Sequence, residues 1–495
     1  MPTDAQSTST STPMKTHSVR LGFATNSSSS HSIIILPPGE NIRSDDRGEE
    51  YGWGDFTLTE PDQKRLYLGQ HLLASLRSEL PDDLALLAAK EWLGVSPDPD
   101  GHIDHQSVQS LPSRFDSAVV DAEFVADYAA FLDRDDVAIL GGNDNSEPRP
   151  MGEGWQQVDL GLPESGRLVC RKEADGLWTL FNRSSGSRFT VDFRNPIAAV
   201  KPTRVDTPML VDLKITDFCT FGCAFCYQGS TPSGKHSDHR RTYGVVRALA
   251  EMKVFEVAIG GGEPTMHPQF IEILESFRSA GIVPNFTTRN TAWIRDVTRW
   301  PRIIAAVGAF AYSTEDASTI APLVALMTAN GIPLSKLNIQ YVMGSSSKHH
   351  FERMLTTCRE LRLRLTLLGF KDNGRGAAFK AEPGYGGFAD YSGWLDTLVK
   401  MRGEPSSGGT WFPNNKLPRL GIDTALAKAY EPQLLESGIS PVLFHTEEGR
   451  FSMYWDLVSD EIGPSSFCSR GQMTRVPGQW PKTEDVAAIF RAFAD

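Results

Sequence analysis

An α/β fold is what this sequence predicts for its central part, on three observations. From Leu210 onward, six strand-length apolar segments (210–215, 254–260, 282–288, 304–313, 335–343 and 363–370) alternate with helical patterns near 240–252, 268–279, 291–299, 317–329 and 349–360. The first two strands end in unusual loops, one carrying Cys219, Cys223 and Cys226, the other Gly260, Gly261, Gly262, Glu263 and Pro264. Composition agrees: 40% hydrophobic and 22% charged residues suit a globular chain, and 495 residues suffice for two or three domains. Parallel strands with helices outside bring the loops at their carboxyl ends to one mouth.

In chain order, residues 1–17 read as a disordered lead, rich in Ser, Thr and Pro and without the apolar core of a secretory signal. No run of 18 apolar residues occurs, and six cysteines without a disulfide framework suit a reducing, cytoplasmic compartment; no membrane association is expected. Residues 18–202 read as an α+β amino-terminal domain. Strands are expected at 18–23 and 32–36, flanking a polar ATNSSSSHS stretch read as a flexible turn or a functional loop near the active site. With no G-x-S-x-G elbow or matching acid, its Ser and His do not make a hydrolase. Trp53 and Phe56 anchor an acidic loop, helices follow at 64–76, 83–93 and 119–132, and a strand at 137–140. Alternating segments at 168–171, 177–181 and 188–193 form an antiparallel unit that covers a sheet edge, docks a partner or recognises substrate. Residues 203–400 hold the βα repeats, ending in a glycine-rich 374–387 stretch read as a mobile lid and a helix at 391–402; residues 401–495 read as a carboxyl-terminal accessory region.

The cysteine loop carries the chemistry. Leu210, Val211, Leu213 and Ile215 form a strand that stops at Asp217, and three thiols follow in CxxxCxxC spacing. Thiolates are soft ligands that suit iron-sulfur clusters and zinc. A structural zinc site takes a fourth protein ligand, and neither a second cysteine pair nor a CxxH follows here. Three ligands on a four-iron cubane leave one iron open to an exchangeable partner. After the second strand, the glycines let backbone approach a ligand and Glu263 can take an ammonium group.

The CxxxCxΦC pattern of Cys219, Cys223, Phe225 and Cys226, together with the GGEP-like turn, resembles the radical S-adenosylmethionine (radical SAM) superfamily over roughly 210–374. The resemblance implies a partial (β/α)6 TIM-like barrel, open on one side to substrate, with one 4Fe-4S cluster on the three cysteines and S-adenosylmethionine chelated to the open iron. It places cofactor contacts at Phe225, Gly261, Gly262 and Glu263, and at Thr288 and Asn290 on the third strand, where Arg289 interrupts a TNG-like end. It adds Ser313 on the fourth strand, Asn338 and Gln340 on the fifth and Leu368 on the sixth; each later polar residue also reads as a satisfied group in a strand. Tyr227 and His236 after the cysteines, and Arg375 in the lid, are candidates to approach the reacting group.

The implied reaction is reductive cleavage of S-adenosylmethionine to a 5'-deoxyadenosyl radical that removes hydrogen from a substrate C–H bond, fed by an electron donor such as flavodoxin or ferredoxin. A ribosomally made peptide is the favoured substrate, because the amino-terminal domain and long loops offer surface for an extended chain. A small polar biosynthetic intermediate and a nonenzymatic iron-sulfur sensor are the alternatives. Beyond the catalytic three, only Cys170, Cys358 and Cys468 remain, too few for a second all-cysteine cluster. A net charge of -12, from 61 acidic against 49 basic residues, argues against a nucleic-acid sleeve.

Overall fold

The computed structural model describes residues 29–45, 51, 55–77, 80–101, 103, 122–143, 152–158, 168–196, 205–382, 392–403, 415–439, 444–476 and 478–493. The expected strand at 18–23, residues 24–28 of the polar stretch, Trp53 and the 383–387 part of the expected lid lie outside them.

In the amino-terminal domain, β1 (Ser29–Ile35), β2 (Phe56–Leu58), β3 (Val137–Asn143) and β4 (Gln156–Val158) form an antiparallel sheet ordered β2-β3-β1-β4. Helices α1 (Pro61–Leu76), α2 (Asp82–Leu93) and α3 (Ala122–Leu132) complete the domain, its core built on Ile33, Phe56, Tyr67, Leu72, Phe124 and Tyr128. The described part of the polar stretch is strand, not turn: Ser29 to Ser32 pair with β3. His31 is buried with Nδ1 2.6 Å from the Tyr67 hydroxyl, a core contact rather than an active-site loop.

A second antiparallel sheet, β5 (Leu168–Lys172), β6 (Trp178–Asn182) and β7 (Arg188–Val191), has apolar residues on both faces. Cys170, Trp178 and Leu180 join the amino-terminal core while Phe181 joins the barrel core, stacking on Phe255 with ring centroids 5.3 Å apart. Arg171 donates to Thr207 Oγ1 and to the carbonyls of Pro208 and Lys253 at 3.0, 3.2 and 3.3 Å. Those partners precede the barrel strands, so this sheet docks at the amino ends of the barrel, opposite the cysteine loop. This sheet therefore does not stand over the mouth of the barrel.

The six expected barrel strands are present as β8 (Leu210–Thr216), β9 (Glu256–Gly261), β10 (Val283–Thr288), β11 (Phe310–Ser313), β12 (Leu337–Val342) and β13 (Arg364–Leu368). Each pairs in parallel with the next. Alternation gives every strand two faces: Val211, Leu213 and Ile215 pack outward into the core, while Asp212 and Lys214 turn to the lumen. Outside lie α4 (His239–Glu251), α5 (Phe270–Ser279), α6 (Trp300–Ala306), α7 (Ile320–Ala329) and α8 (Lys348–Glu360). Asp238 caps α4, accepting from the Arg240 amide at 2.7 Å. Phe351, Met354, Leu355 and Cys358 form the buried stripe of α8; burial of such apolar side chains contributes roughly 1.5–3 kcal/mol each. Burial pushes the Cys358 thiol up to about 12, as suits a packing residue.

Two boundaries differ from expectation. The helix expected at 291–299 is a short 3-10 turn, Ala292–Arg295, followed by α6, which takes residues 304–306 from the expected fourth strand. Pro301 sits at the start of α6, where its missing N–H costs nothing.

Nor does the sheet break at residue 400. After α9 (Arg375–Ala381) and α10 (Ser392–Arg402), β14 (Arg419–Ile422) pairs in parallel with β13, and β15 (Ser452–Asp456) pairs in parallel with β8 at the opposite edge. The region expected to be accessory thus extends the six strands to eight on both flanks, covering two edges that would otherwise expose unpaired backbone. β16 (Glu461–Gly463) and β17 (Thr474–Arg475) continue antiparallel beyond β15, and α13 (Thr483–Ala492), which follows α11 (Thr424–Ala429) and α12 (Glu431–Glu436), packs on α4. Arg241 of α4 secures this tail through Asp460 at 2.9 Å and the carbonyls of Val476 and Gly478. No described helix is long and apolar enough to cross a membrane.

Candidate active site

The carboxyl ends of the barrel strands enclose a cavity of about 540 Å³. Cys219, Cys223 and Cys226 line it, on a loop that returns to its own start through Asp217 N–H to the Lys235 carbonyl (2.8 Å) and Cys219 N–H to the Thr231 carbonyl (3.0 Å). From outside, Arg375 clamps this loop. Its Nε donates to the Cys223 carbonyl at 2.9 Å, its Nη1 to the Ser230 carbonyl at 2.8 Å and its amide to the Cys226 carbonyl at 3.0 Å. Gly374 permits the approach: it has φ 55°, and a Cβ there would lie 2.5 Å from the Tyr227 carbonyl oxygen.

After β9, Gly262 donates to the Thr216 carbonyl at 2.6 Å and Glu263 donates to the Phe218 carbonyl at 2.8 Å. A Cβ on Gly261 or Gly262 would lie 2.3 or 2.2 Å from the carbonyl oxygens of Thr216 and Phe218, so these glycines serve the contact between two loops while lining the cavity. The Glu263 carboxylate is buried and held by four donors. Oε1 accepts from Thr265 N (3.2 Å), Thr265 Oγ1 (2.7 Å) and Thr288 Oγ1 (2.7 Å), and Oε2 accepts from Arg289 N (3.0 Å).

Of the residues singled out from sequence, the three cysteines, Phe225, Tyr227, Gly261, Gly262, Glu263, Thr288, Ser313, Gln340 and Leu368 line this cavity. Four do not line it. His236 lies behind the cysteine loop, Nδ1 2.8 Å from Thr216 Oγ1, its ring packed on Phe218 and His267. Arg375 is spent on the clamp. Asn290 donates to Thr265 Oγ1 at 2.9 Å, supporting the Glu263 network from behind. Asn338 donates to Thr366 Oγ1 at 2.9 Å and faces a second cavity, about 730 Å³, at the amino ends of the strands. Arg289, read as an interruption, turns out to be central: its Nη1 is 3.1 Å from Cys223 Sγ, it pairs with Glu315, and it lies 5.9 Å over the Phe225 ring.

Sequence reasoning missed a charged group on another wall of the cavity. Asp212, Lys371, Asp423 and Glu448 all line it. Lys371 Nζ sits 4.6 and 4.7 Å from the ring centroids of Tyr227 and Phe467 and donates to Ser466 Oγ at 3.1 Å. Burial works against its ammonium, but Tyr227, Asp423, Asp212 and Glu448 outweigh burial and hold its pKa above the ordinary lysine value. Asp423 accepts from Gly369 N (2.9 Å) and Leu426 N (2.8 Å), joining the end of β13 to the start of α11. Burial raises the pKa of Asp212; burial, then repulsion from Asp212, pushes Glu448 up to about 7. Next to them Lys214 pairs with Asp217 at 2.6 Å and Asp456 at 2.9 Å, tying β8 to β15.

Comparison with known proteins bears on the cysteine side of this cavity. Residues 213–310 match the family model described as the Radical SAM superfamily. GTP 3',8-cyclase of Photorhabdus laumondii is 34% identical over 95 residues, 18% of this chain and 28% of that protein. Mycofactocin maturase MftC of Mycobacterium ulcerans is 31% identical over 86 residues, 17% of this chain and 23% of that one. These matches span under a third of those relatives' own lengths. SuiB of Streptococcus suis, solved bound to its precursor peptide SuiA, superposes with a TM-score of 0.41 at 12% identity, over 60% of this chain and 82% of that one. That superposition is too loose to carry an argument. The cysteine loop, the glycine turn, β9 and β10 all fall within the matched segment, so residues 213–310 of this chain carry a radical SAM domain.

Proposed function

We propose that this protein is a radical SAM enzyme acting on a C–H bond of a peptide side chain. One observation carries the radical SAM reading: three thiols, a carboxylate held by four donors and the end of the third strand converge on one cavity. The donor set fits a 4Fe-4S cluster and S-adenosylmethionine. Among the described residues, no three His, Cys, Asp or Glu side chains stand together around a single metal ion. Cys219, Cys223 and Cys226 are instead suited to ligate one iron each of a polynuclear cluster. Glu263 would take the amino group of S-adenosylmethionine, with Thr288, Ser313 and Leu368 beside it.

When bound, the pair would supply one-electron cleavage of a sulfonium and, from it, a carbon radical able to take hydrogen from an unactivated C–H bond. This chain's residues do the positioning. The four donors fix the Glu263 carboxylate before any ligand arrives, so little reorganisation is needed on binding. Arg375 holds the cysteine loop closed from behind, and Arg289 brings positive charge to Cys223.

Phe221 stands exposed on the cysteine loop at the cavity rim, an apolar contact for a substrate longer than the cavity, and this favours a peptide. A small polar intermediate is the second reading, favoured by the stretch shared with a cyclase named for a nucleotide. Anaerobic incubation of reconstituted, reduced protein with deuterated candidates, read by mass spectrometry of 5'-deoxyadenosine, tests both. Deuterium arriving from a peptide with a lasting mass change supports the first reading; deuterium arriving only from a metabolite supports the second. No cleavage of S-adenosylmethionine with either set rejects the enzyme reading in favour of a nonenzymatic cluster protein.

A further inference from the structure

We propose that the cavity wall formed by Asp212, Asp423 and Glu448 around Lys371 is a substrate subsite for a positively charged amino group. The inference rests on the reading of this cavity as the place of reaction, and it adds the chemical class of what is held there.

Charge makes the first argument. Three carboxylates face one ammonium, and the other lysine on this wall, Lys214, is already committed to Asp217 and Asp456. Lys428 also acts on Glu448 but does not line the cavity, so the wall itself presents three acids to one uncommitted ammonium. Hydrogen bonding makes the second, independent argument. Asp423 is satisfied by two backbone amides, but neither Asp212 nor Glu448 has a hydrogen-bond partner among the described residues. What surface Asp212 keeps faces the cavity rather than bulk water, and the strand walls around it are dense enough to raise its pKa. A carboxylate left unpaired in such a place costs stability unless something completes it.

A metal ion is a poor candidate, since these carboxylates do not converge as a metal-binding group. A substrate ammonium fits: it is a monovalent donor of three hydrogen bonds, and Asp212 and Glu448 are free acceptors. The raised pKa of Glu448 agrees: burial first, then repulsion from Asp212, disfavours its charged form, and a bound ammonium would favour that form again. Lys371, seated between Tyr227 and Phe467, supplies one positive charge of its own and so competes with the ligand.

The test is anaerobic calorimetric titration of the full-length reconstituted chain with N-α-acetyl-lysine methylamide, its ε-acetylated counterpart, cadaverine, and a lysine-bearing decapeptide. The free amines are expected to bind saturably and the acetylated probe at least tenfold more weakly. Asp212→Asn and Glu448→Gln should each weaken amine binding about tenfold. Lys371→Gln should tighten it severalfold by removing the built-in competitor, a direction that misfolding cannot imitate. Preference for the decapeptide assigns the amine to a peptide; equal or better binding of cadaverine assigns it to a small amine. Absence of amine binding, equal binding of the acetylated probe, or indifference to all three substitutions overturns the proposal. Cleavage of S-adenosylmethionine is scored separately: cleavage without amine binding rejects the subsite and leaves the radical SAM reading standing, whereas amine binding without cleavage supports the subsite and counts against that reading.

Discussion

The two sides of the cavity are built in opposite ways. On the sulfur side, three cysteines fall within eight residues, and Glu263, Thr288 and Arg289 follow from the next two strands. Its two charged side chains are answered inside the protein: Glu263 has four donors, and Arg289 has Glu315 and the Cys223 sulfur. On the charged side, Asp212 comes from β8, Lys371 from beyond β13, Asp423 from the end of β14 and Glu448 from the approach to β15. Two of its carboxylates are unanswered. A wall finished in advance suits a partner that never changes, such as a cofactor; a wall left incomplete suits a partner that arrives and leaves with each turnover.

The largest effect that would break this comparison lies at the cysteines. Replacing Cys219, Cys223 or Cys226 with Ala is expected to remove most of the cluster, about four irons per chain in the reconstituted protein, together with its paramagnetic resonance signal. Asp212→Asn should retain its iron. If both kinds of variant lose iron, the two sides are not independent.

Glu263→Gln comes next. Exchanging the carboxylate for an amide removes a charged acceptor and opposes the Thr265, Thr288 and Arg289 donors, so S-adenosylmethionine should bind about 1–3 kcal/mol more weakly. Titration followed by the cluster resonance measures this, and unchanged affinity would make the residue a brace for the loop alone.

The charged side should reveal itself in the pH dependence of stability. The Glu448 carboxyl is held at about 7 against an ordinary 4.5, so between those values the folded chain keeps a proton that the unfolded chain has released. That favours folding below the window, and the advantage is lost as pH rises toward 7. Glu448→Gln, which cannot ionise, should therefore flatten the fall and leave the variant more stable than the parent at pH 8, by on the order of 2 kcal/mol. Urea unfolding at pH 5 and pH 8 measures it; a variant less stable at pH 8 would show that the carboxylate is paired after all.

The smallest effect is expected at His236. Behind the loop, His236→Asn should cost about 1 kcal/mol of stability through the lost Thr216 contact and change turnover only a few-fold. A loss of activity comparable to that of the cysteine variants would bring His236 back among the catalytic groups.

Much of the barrel was legible because strand and helix periods are local. Val211, Leu213 and Ile215 alternate with Asp212 and Lys214 whatever their surroundings, and the α8 stripe repeats at three and four residues. The same locality made the cysteine loop and the Glu263 turn readable, since each is one short segment with its own chemistry. His236 was singled out for residue type and nearness to the cysteines, and Arg375 for its place in the glycine-rich stretch after the sixth strand; neither says anything of direction. Arg375 turned its guanidinium to carbonyls behind the loop, and His236 turned its ring to Thr216.

By itself, then, the sequence determined the order of the βα units, the three thiols and the carboxylate that faces them, because each depends on spacing within a few residues. Only the tertiary structure decided that β14 and β15 flank the barrel, that the β5 to β7 sheet docks at the amino ends, and that four charged residues from separate segments share one wall. Those outcomes depend on which edges pair and which faces are left to bury, and edge pairing between segments more than two hundred residues apart leaves no periodic trace in either segment.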